Sequence, residues 1–443
     1  MRTTLKQILI IAYYFPPSGG SGVQRVLKFA KYLPENGWQP TILTVDPAYA
    51  AYPDYDESLV EDVPKDIRVV RTRSWDPYSF YAKLQGRRKQ DMIGTGFVRE
   101  PANKGQISRL AMWLRANLFL PDARVGWVPF ATPAAGRLIR KERYHALLTS
   151  GPPHSVHLVG RRLRRRFGIP WVVDMRDPWT DQWPNMVMPQ TGLARRLDAM
   201  FERSVLKEAD AVVSVSDGVG KGLQTKASIQ RYQTITNGFD SADIPPITEM
   251  RGDDAPFTLT YVGTLYGPRH VPALVQALAN VVRERRFRVQ FVGRVDEVVV
   301  QAYREAGLGE ILQVVPYVPH AEAIGYMRAA NVLLVIIDRV AHNRGIAPAK
   351  MYEYLALGKP ILCIGPTNGD PATILSKTRG GVVIDYDDVD GIQDFLTMHA
   401  DGVSRGEAPE SPDHEAIQAY DRRFLTRRLA SLLDRIGRDS HAE

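Results

Sequence analysis

Cysteine is almost absent from this chain: Cys363 stands alone among 443 residues, so no internal disulfide can form. A reducing compartment is the natural expectation. Equally missing is any run near the ~20 apolar residues that a membrane span needs. The apolar stretch 8–15 has the length of a leader's core. Pro16, Pro17 and a glycine-rich loop follow it rather than a small-residue cleavage site, so it reads as a first β-strand. No HExxH or CxxC occurs, which argues against a metal centre. No short internal repeat or low-complexity tract is evident.

What is present is a globular balance, 44% hydrophobic and 24% charged, in a chain too long for one ordinary core. Two domains are therefore expected. The net charge is +8, and the basic residues cluster, as in RRLRRR at 161–166 and in Arg87, Arg88 and Lys89. Such clusters suit phosphorylated substrates, anionic lipid or nucleic acid, or are plain solvated faces; charge alone does not pick the partner.

The first half alternates strand and helix patterns. ILIIAYYF is a buried strand; Val23, Val26, Leu27, Ala30 and Leu33 then recur at helical spacing, and PTILTV follows as the next strand of a βαβ unit. HALLTS, PWVVDMR, DAVVSVS and YQTITN continue the series, while 46–140 is less regular and reads as an elaboration. The pattern breaks between Phe239 and Pro256, a proline-rich and acidic linker candidate. A second series follows: TLTYVG, RVQFVG, LQVVPYV, NVLLVII, PILCIG and GVVIDY. Leu425, Leu429, Leu432 and Ile436 then mark a terminal amphipathic helix. The expected fold is α/β: two doubly wound Rossmann-like domains, 1–240 and 256–405, with a cleft between them and a helical tail at 406–443.

Four loops carry candidate chemistry. PPSGGSG, 16–22, joins the first strand to the first helix; Gly19, Gly20 and Gly22 admit a ligand close to the backbone, and Ser21 with Gln24 has capping-box spacing. Free amides there favour a phosphate, though a tight βα turn needs the same residues. In NRGIAPAKMYEYLALGKPI, 343–361, Pro348 suits a helix start, and Lys350 and Glu353 share a face as a surface pair or as ligand groups. Arg269, in YVGTLYGPRH, is placed to clamp a diphosphate or is an ordinary exposed arginine. SGPPHS and VVDMRDPW bring Ser150, His154, Asp174, Arg176 and Asp177 to strand ends, where a lone histidine is often structural and MRD can be an internal ion pair. Asp385 and Asp387 have DxD spacing but read as solvated turn residues. Finally Ile107, Leu110, Ala111, Leu114 and Leu118 form one helical stripe, with Arg109 and Arg115 available to lipid phosphates; it either lies on a membrane or packs on the domain's own core.

In their order along the chain, YYFPPSGGSGVQRVLKFAKYL, SGPPHSVH, DMRDPW, TNGFD, YVGTLYGPR and PAKMYEYLALGKPI resemble the family-four glycosyltransferases with their GT-B fold, over nearly the whole chain outside about 50–110. The opening and DMRDPW look most like bacterial members that build surface polysaccharides. The resemblance implies retaining transfer of a sugar from a nucleotide diphosphate sugar, with no cofactor, no essential metal and no nucleic-acid partner. The acceptor it implies is a hydroxyl of a glycan or lipid-linked sugar, met in the cytoplasm or at the inner face of the plasma membrane. Gly19 and Gly20 would face the donor phosphates, Arg269 the diphosphate, and Glu353 the ribose, with Lys350 on the same donor side. His154 and Asp177 join Arg269 as catalytic candidates; Ser150, Asp174 and Arg176 fall on the acceptor side. The sequence departs from the family pattern at Gly345, eight residues before Glu353, where a glutamate is usual, and at Thr264 and His270 in place of basic residues. Ser150 falls near the family's active-site histidine. Two rivals stay open: a nucleotide-sugar epimerase, and an inactive binding or scaffold protein, which Gly345 favours.

Overall fold

The computed structural model describes residues 5–50, 52, 55–75, 106–182, 188–244, 255–283, 285–407 and 409–439. Arg87, Arg88 and Lys89, and most of the linker candidate, lie outside them. The chain divides into two compact units, 1–236 with 425–443, and 237–424.

The first unit is built on β1 (Lys6–Ile11), β2 (Trp38–Val45), β3 (Arg68–Thr72), β4 (Ala146–Gly151), β5 (Trp171–Met175), β6 (Ala211–Ser214) and β7 (Tyr232–Thr234). They form a parallel sheet in the order β3-β2-β1-β4-β5-β6-β7. The second unit repeats the plan with β8 (Phe257–Val262), β9 (Phe287–Val292), β10 (Leu312–Val315), β11 (Val332–Ile336), β12 (Ile361–Ile364) and β13 (Gly381–Ile384), ordered β10-β9-β8-β11-β12-β13 and parallel throughout. In each sheet the winding reverses once, beside β1 and β4 and beside β8 and β11. The loops leaving the carboxyl ends diverge there and leave room for a ligand.

Both faces of each sheet are covered. Leu9 and Ile11 pack into one core with Trp127 and Trp171, while Ile8 and Ile10 pack into another with Val26, Phe29 and Leu33. The strand period of two divides them, and helices on both sides shield a parallel sheet that could not face water. In the second unit Leu334 and Ile336 face one core while Leu333 and Val335 face the other.

The terminal helix, Arg422–Asp439, carries Leu425, Leu429, Leu432 and Ile436 into the core of Ile8 and Ile10. The tail expected as a separate piece is therefore divided. The short helix His414–Gln418 belongs to the second unit, and from Leu425 onward the chain completes the first. Lys6–Asp434 at 2.7 Å and Arg428 Nη2 donating to the Thr234 carbonyl at 2.8 Å join it to the sheet at the surface. Edge strand β3 was not legible in the sequence; its residues are half-buried or exposed and fell within the supposed elaboration.

One interaction fastens the first unit internally. Arg25, on the helix Ser21–Tyr32, is fully buried and reaches Asp174 on β5 through Nε (3.0 Å) and Nη2 (2.7 Å). Its remaining donors serve the carbonyls of Ile235 (2.9 Å) and Thr236 (2.7 Å), and Ser150 Oγ donates to Asp174 Oδ2 at 2.7 Å. Removing one partner of such a pair leaves a bare charge in the core, at about 3–5 kcal/mol. Asp174→Asn is therefore expected to shift the urea midpoint of this unit downward. All seven tryptophans precede residue 184, so tryptophan fluorescence reads this unit without the other.

Candidate functional site

In the first unit three loops meet at the carboxyl edge beside β1, β4 and β5. Gly20 lies at φ 97°, a left-handed conformation that glycine adopts without penalty, and its carbonyl accepts Val23 N–H at 3.1 Å to open the helix. Gly20, not Ser21, is the N-cap, and a glycine has no side chain to cap this end; the Ser21 side chain, on which the expected capping box rests, lies outside what the structure describes. The first amides are left toward the loop, where a negative group is favoured. Gly19 is buried and Gly20 exposed.

Arg176 links this loop to the next. A Cβ on Gly22 would lie 1.7 Å from Arg176 Nη1, so only glycine admits the guanidinium. Arg176 Nε donates to the Gly151 carbonyl at 3.1 Å and Nη2 to that of Pro152. Burial lowers its pKa, opposed by Asp174 and Asp177. Asp177 is half-buried and makes no hydrogen bond among the described residues; burial raises its pKa, with Arg176 opposing. Ser150 and Asp174, by contrast, are buried and spend their polar atoms on each other and on Arg25, as the internal ion-pair reading of this segment anticipates.

His154 precedes the helix Ser155–Phe167 and is 3% exposed. Its ring stacks on Trp179 at 5.0 Å and 10°, and Trp179 Nε1 donates to buried Asp198 at 2.7 Å. Burial, then His157 and Arg176, hold the His154 pKa well below the usual histidine range, which leaves a neutral ring. Neither ring nitrogen makes a well-formed hydrogen bond, although the Pro178 backbone favours the charged form. Burial also raises Asp198 to about 7. Trp179 and Asp198 were missed from sequence, since nothing local marks a tryptophan as the floor of a distant histidine.

In the second unit the candidates gather around Tyr261, on β8. Arg269 Nη1 donates to Tyr261 Oη at 3.1 Å and to the Thr264 carbonyl at 2.8 Å; Nε meets Asp338 Oδ1 at 2.5 Å. Arg269 Nη2 makes no hydrogen bond among the described residues. Burial works against the Arg269 charge, but Tyr261 and Asp338 outweigh it and raise its pKa. Lys350 sits over the opposite feature of the same ring, Nζ 3.4 Å from the Tyr261 centroid, and donates to the Val262 carbonyl at 2.8 Å. Burial, then the nearby Arg269, press the Lys350 pKa well below its ordinary value. Gly263 turns the chain at φ 126°, with Lys350 Nζ 3.3 Å from where a Cβ would stand.

Asp338, just past β11, is thus shared between two cations and also accepts Tyr266 Oη at 2.6 Å. Its sequence signal was slight, an acid directly after NVLLVII. Glu353 points elsewhere on its helix, Ala349–Ala356: Oε1 lies 3.0 Å from His320 Nε2. Pro348 is the N-cap of that helix rather than its first residue. Gly345 is buried in a short turn, Asn343–Gly345, tied by Asn343 Nδ2 to the Asp338 carbonyl at 2.9 Å.

The remaining charged candidates are locally engaged. Arg339 grips Asp387 through two bonds of 2.8 and 2.6 Å, so the DxD pair serves a solvated turn. No cluster able to hold a metal occurs among the described residues. In RRLRRR, Arg164 pairs with Asp210 at 2.9 Å and Arg165 with Glu208 at 2.6 Å. Three members of the stripe on the helix Gln106–Leu118 face outward: Leu110 is 58%, Leu114 37% and Leu118 65% exposed, with Trp113 at 42%, while the side chains of Ile107 and Ala111 lie outside what the structure describes. The same helix is held by Asn117, which donates to the Pro189 carbonyl at 3.0 Å and accepts Thr191 N–H at 2.7 Å. No helix of the described residues is long and apolar enough to cross a membrane.

Known proteins agree with this architecture. The family model described as a glycosyl transferase 4-like domain matches residues 19–238, and that described as glycosyl transferases group 1 matches 256–398. Between them they take in most of the chain, which belongs to the glycosyltransferases built from these two domains. Among solved structures it is similar to sucrose-phosphate synthase from Thermosynechococcus elongatus, at 15% identity and TM-score 0.66 over 97% of this chain and 98% of that one. It is similar also to a glycosyltransferase from Rickettsia africae, at 12% and 0.61 over 98% of each, and to Anabaena HepE in complex with UDP and glucose, at 14% and 0.59 over 97% and 99%. The fold is GT-B. No curated protein matches the chain in sequence.

Lys350 yields a pH test. An anion bound beside it favours the protonated lysine, so binding raises the Lys350 pKa and takes up a proton. Pyrophosphate affinity is then greatest below the lowered pKa of the free protein and falls as pH rises through that range toward the ordinary lysine value. Calorimetry in buffers of different ionisation heat is expected to show this uptake. Lys350→Gln is expected to abolish it, while Arg269→Gln weakens binding and leaves the pH slope in place.

Proposed function

We propose that this glycosyltransferase moves a sugar, with retention at the anomeric carbon, from a nucleotide diphosphate sugar to a hydroxyl of a glycan or lipid-linked acceptor in polysaccharide biosynthesis. The observation that carries the donor reading is the pair of cations on Tyr261: Arg269 and Lys350 share one carboxylate, and Arg269 Nη2 is left over. A diphosphate suits both groups, since it takes the spare Arg269 donor and favours the protonated Lys350. Support comes also from Anabaena HepE, whose structures hold UDP, UDP with glucose, and UDP-glucose.

When the bond from the anomeric carbon to the diphosphate oxygen breaks, its electron pair stays on the oxygen. Arg269 and Lys350 meet that charge. Each preorganised donor contributes roughly 3 kcal/mol of barrier reduction. The second unit holds the donor and the first receives the acceptor. There Asp177, without a hydrogen bond among the described residues, is the group able to take a hydroxyl proton, and neutral His154 lines the same edge. The ribose falls to Glu353. Gly345, lacking the family's usual glutamate, favours the inactive-scaffold alternative. Release of nucleoside diphosphate from a panel of nucleotide sugars, dependent on added acceptor, separates the two; a folded protein that binds donors and never releases product overturns the catalytic reading.

Side chains rather than a cation meet the diphosphate in this reading. Activity is expected to survive EDTA and to fall about 10²–10³-fold in Arg269→Ala. Loss in EDTA, restored by magnesium or manganese, refutes it.

In this reading the acceptor is met at the cytoplasmic face of the membrane, with the exposed residues Leu110, Trp113, Leu114 and Leu118 in the interface and Arg109 near lipid phosphates. Arg87, Arg88 and Lys89 add about 1 kcal/mol each at an anionic surface. Flotation with anionic vesicles is expected to require low salt, to weaken when those three become Ser, and to be lost in Leu110→Ser/Leu114→Ser. A protein that ignores such vesicles, yet transfers sugar to a water-soluble acceptor at full rate, rules the membrane placement out.

A further inference from the structure

We propose that His320 is a positioning residue for ribose recognition: it holds the Glu353 carboxylate turned toward the hydroxyls of the donor's ribose. The inference rests on Glu353 being the ribose ligand, as proposed above, and adds the group that prepares it.

The two residues come from different elements. His320 opens the helix Ala323 and Ile324 anchor, His320–Ala329, and Glu353 lies in the middle of Ala349–Ala356. The flanking residues fix both backbones, since Ala323, Met327, Met351 and Tyr352 are buried in one core. The polar ends meet at 3.0 Å, Nε2 to Oε1, with side chains 26% and 21% exposed. A surface glutamate ordinarily samples many rotamers and loses that freedom when it binds. Here one oxygen is already fixed before a ligand arrives.

The stoichiometry suits a diol. An ionised carboxylate offers about four acceptor sites, and the imidazole takes one. Glu353 Oε2 makes no hydrogen bond among the described residues, and Lys350, one turn earlier, is directed to Val262 and Tyr261 instead. The carboxylate is therefore not hydrogen-bonded to the lysine that shares its helix, which feels it only as the smallest of its charge interactions. One helical turn, about 5–6 Å between β-carbons, separates the cation that meets phosphate from the acid that meets hydroxyls. A nucleotide presents its phosphate and its diol in the same sequence.

The test compares UDP, GDP and ADP with their 2′-deoxy forms by calorimetry, using pyrophosphate as a probe that lacks the ribose. The native protein is expected to prefer at least one ribonucleotide over its deoxy form by about tenfold or more. Glu353→Ala is expected to bring that ratio near one. His320→Ala is expected to cut it to about threefold or less with pyrophosphate affinity unchanged, which also shows that the variant is folded. His320→Gln, whose amide can still donate, is expected to recover part of it. A ratio that collapses in Glu353→Ala but persists in His320→Ala overturns this inference alone. A ratio unaffected by Glu353→Ala, or near one in the native protein, overturns the ribose reading and this inference with it. If His320→Ala loses pyrophosphate binding in proportion and His320→Gln does not recover the ratio, the pair is a structural clamp and the inference fails.

Discussion

The first unit depends on a charge that never sees water. Arg25 and Asp174 are 0% and 1% exposed, and neither could be left alone there without a cost of several kcal/mol. The pair is tolerable because three further bonding groups close around it: two backbone carbonyls and a serine hydroxyl. Its consequence is positional. The first helix, β4, β5 and the chain beyond β7 are held together through one guanidinium. The glycine loop that opens that helix and the Arg176–Asp177 turn that leaves β5 are therefore fixed with respect to each other. Ser150 and Asp174 act inside this fastening, while the groups one or two residues beyond it remain at the edge.

The second unit uses charge in the opposite way. Arg269 and Lys350 converge on Tyr261 with Asp338 as their shared carboxylate, and Arg269 disfavours the charge on Lys350. A fold built for stability alone would pair each cation or move one to the surface. An arrangement that holds a charged arginine beside a lysine whose protonation it disfavours is relieved by an anionic ligand. Asp338 and Tyr266 keep Arg269 in place meanwhile, so its geometry does not depend on the ligand.

Outside these sites the chemistry is largely spent locally. Arg164 and Arg165 of the run at 161–166 are answered by Asp210 and Glu208 from neighbouring elements, and Asp387 of the DxD pair by Arg339. The exposed residues of the helix Gln106–Leu118 are different in kind, because Leu110, Trp113, Leu114 and Leu118 turn away from the core while Ala116 turns inward. The spacing alone fitted either orientation.

Periodicity made most of the fold legible. Twelve apolar runs of strand length, bounded by turn residues, became β-strands, and the helical spacing of Leu425, Leu429, Leu432 and Ile436 became a buried stripe. Those patterns follow from burial, which local sequence records residue by residue. Strand β3 escaped because its five residues carry only two valines between arginines and lie within the irregular stretch 46–140. Site loops were legible too, as Gly-rich and Pro-rich segments after strands. What sequence could not decide was who answers whom: Arg25 for Asp174 across 149 positions, Asp338 for Arg269 across 69, His320 for Glu353 across 33. Charge pairing depends on distances set by winding the sheet, and the sequence lists the charges without those distances. The sequence by itself determined two wound sheets and the loops at their carboxyl ends; only the tertiary structure decided which charges are fastened inside and which are left for a ligand.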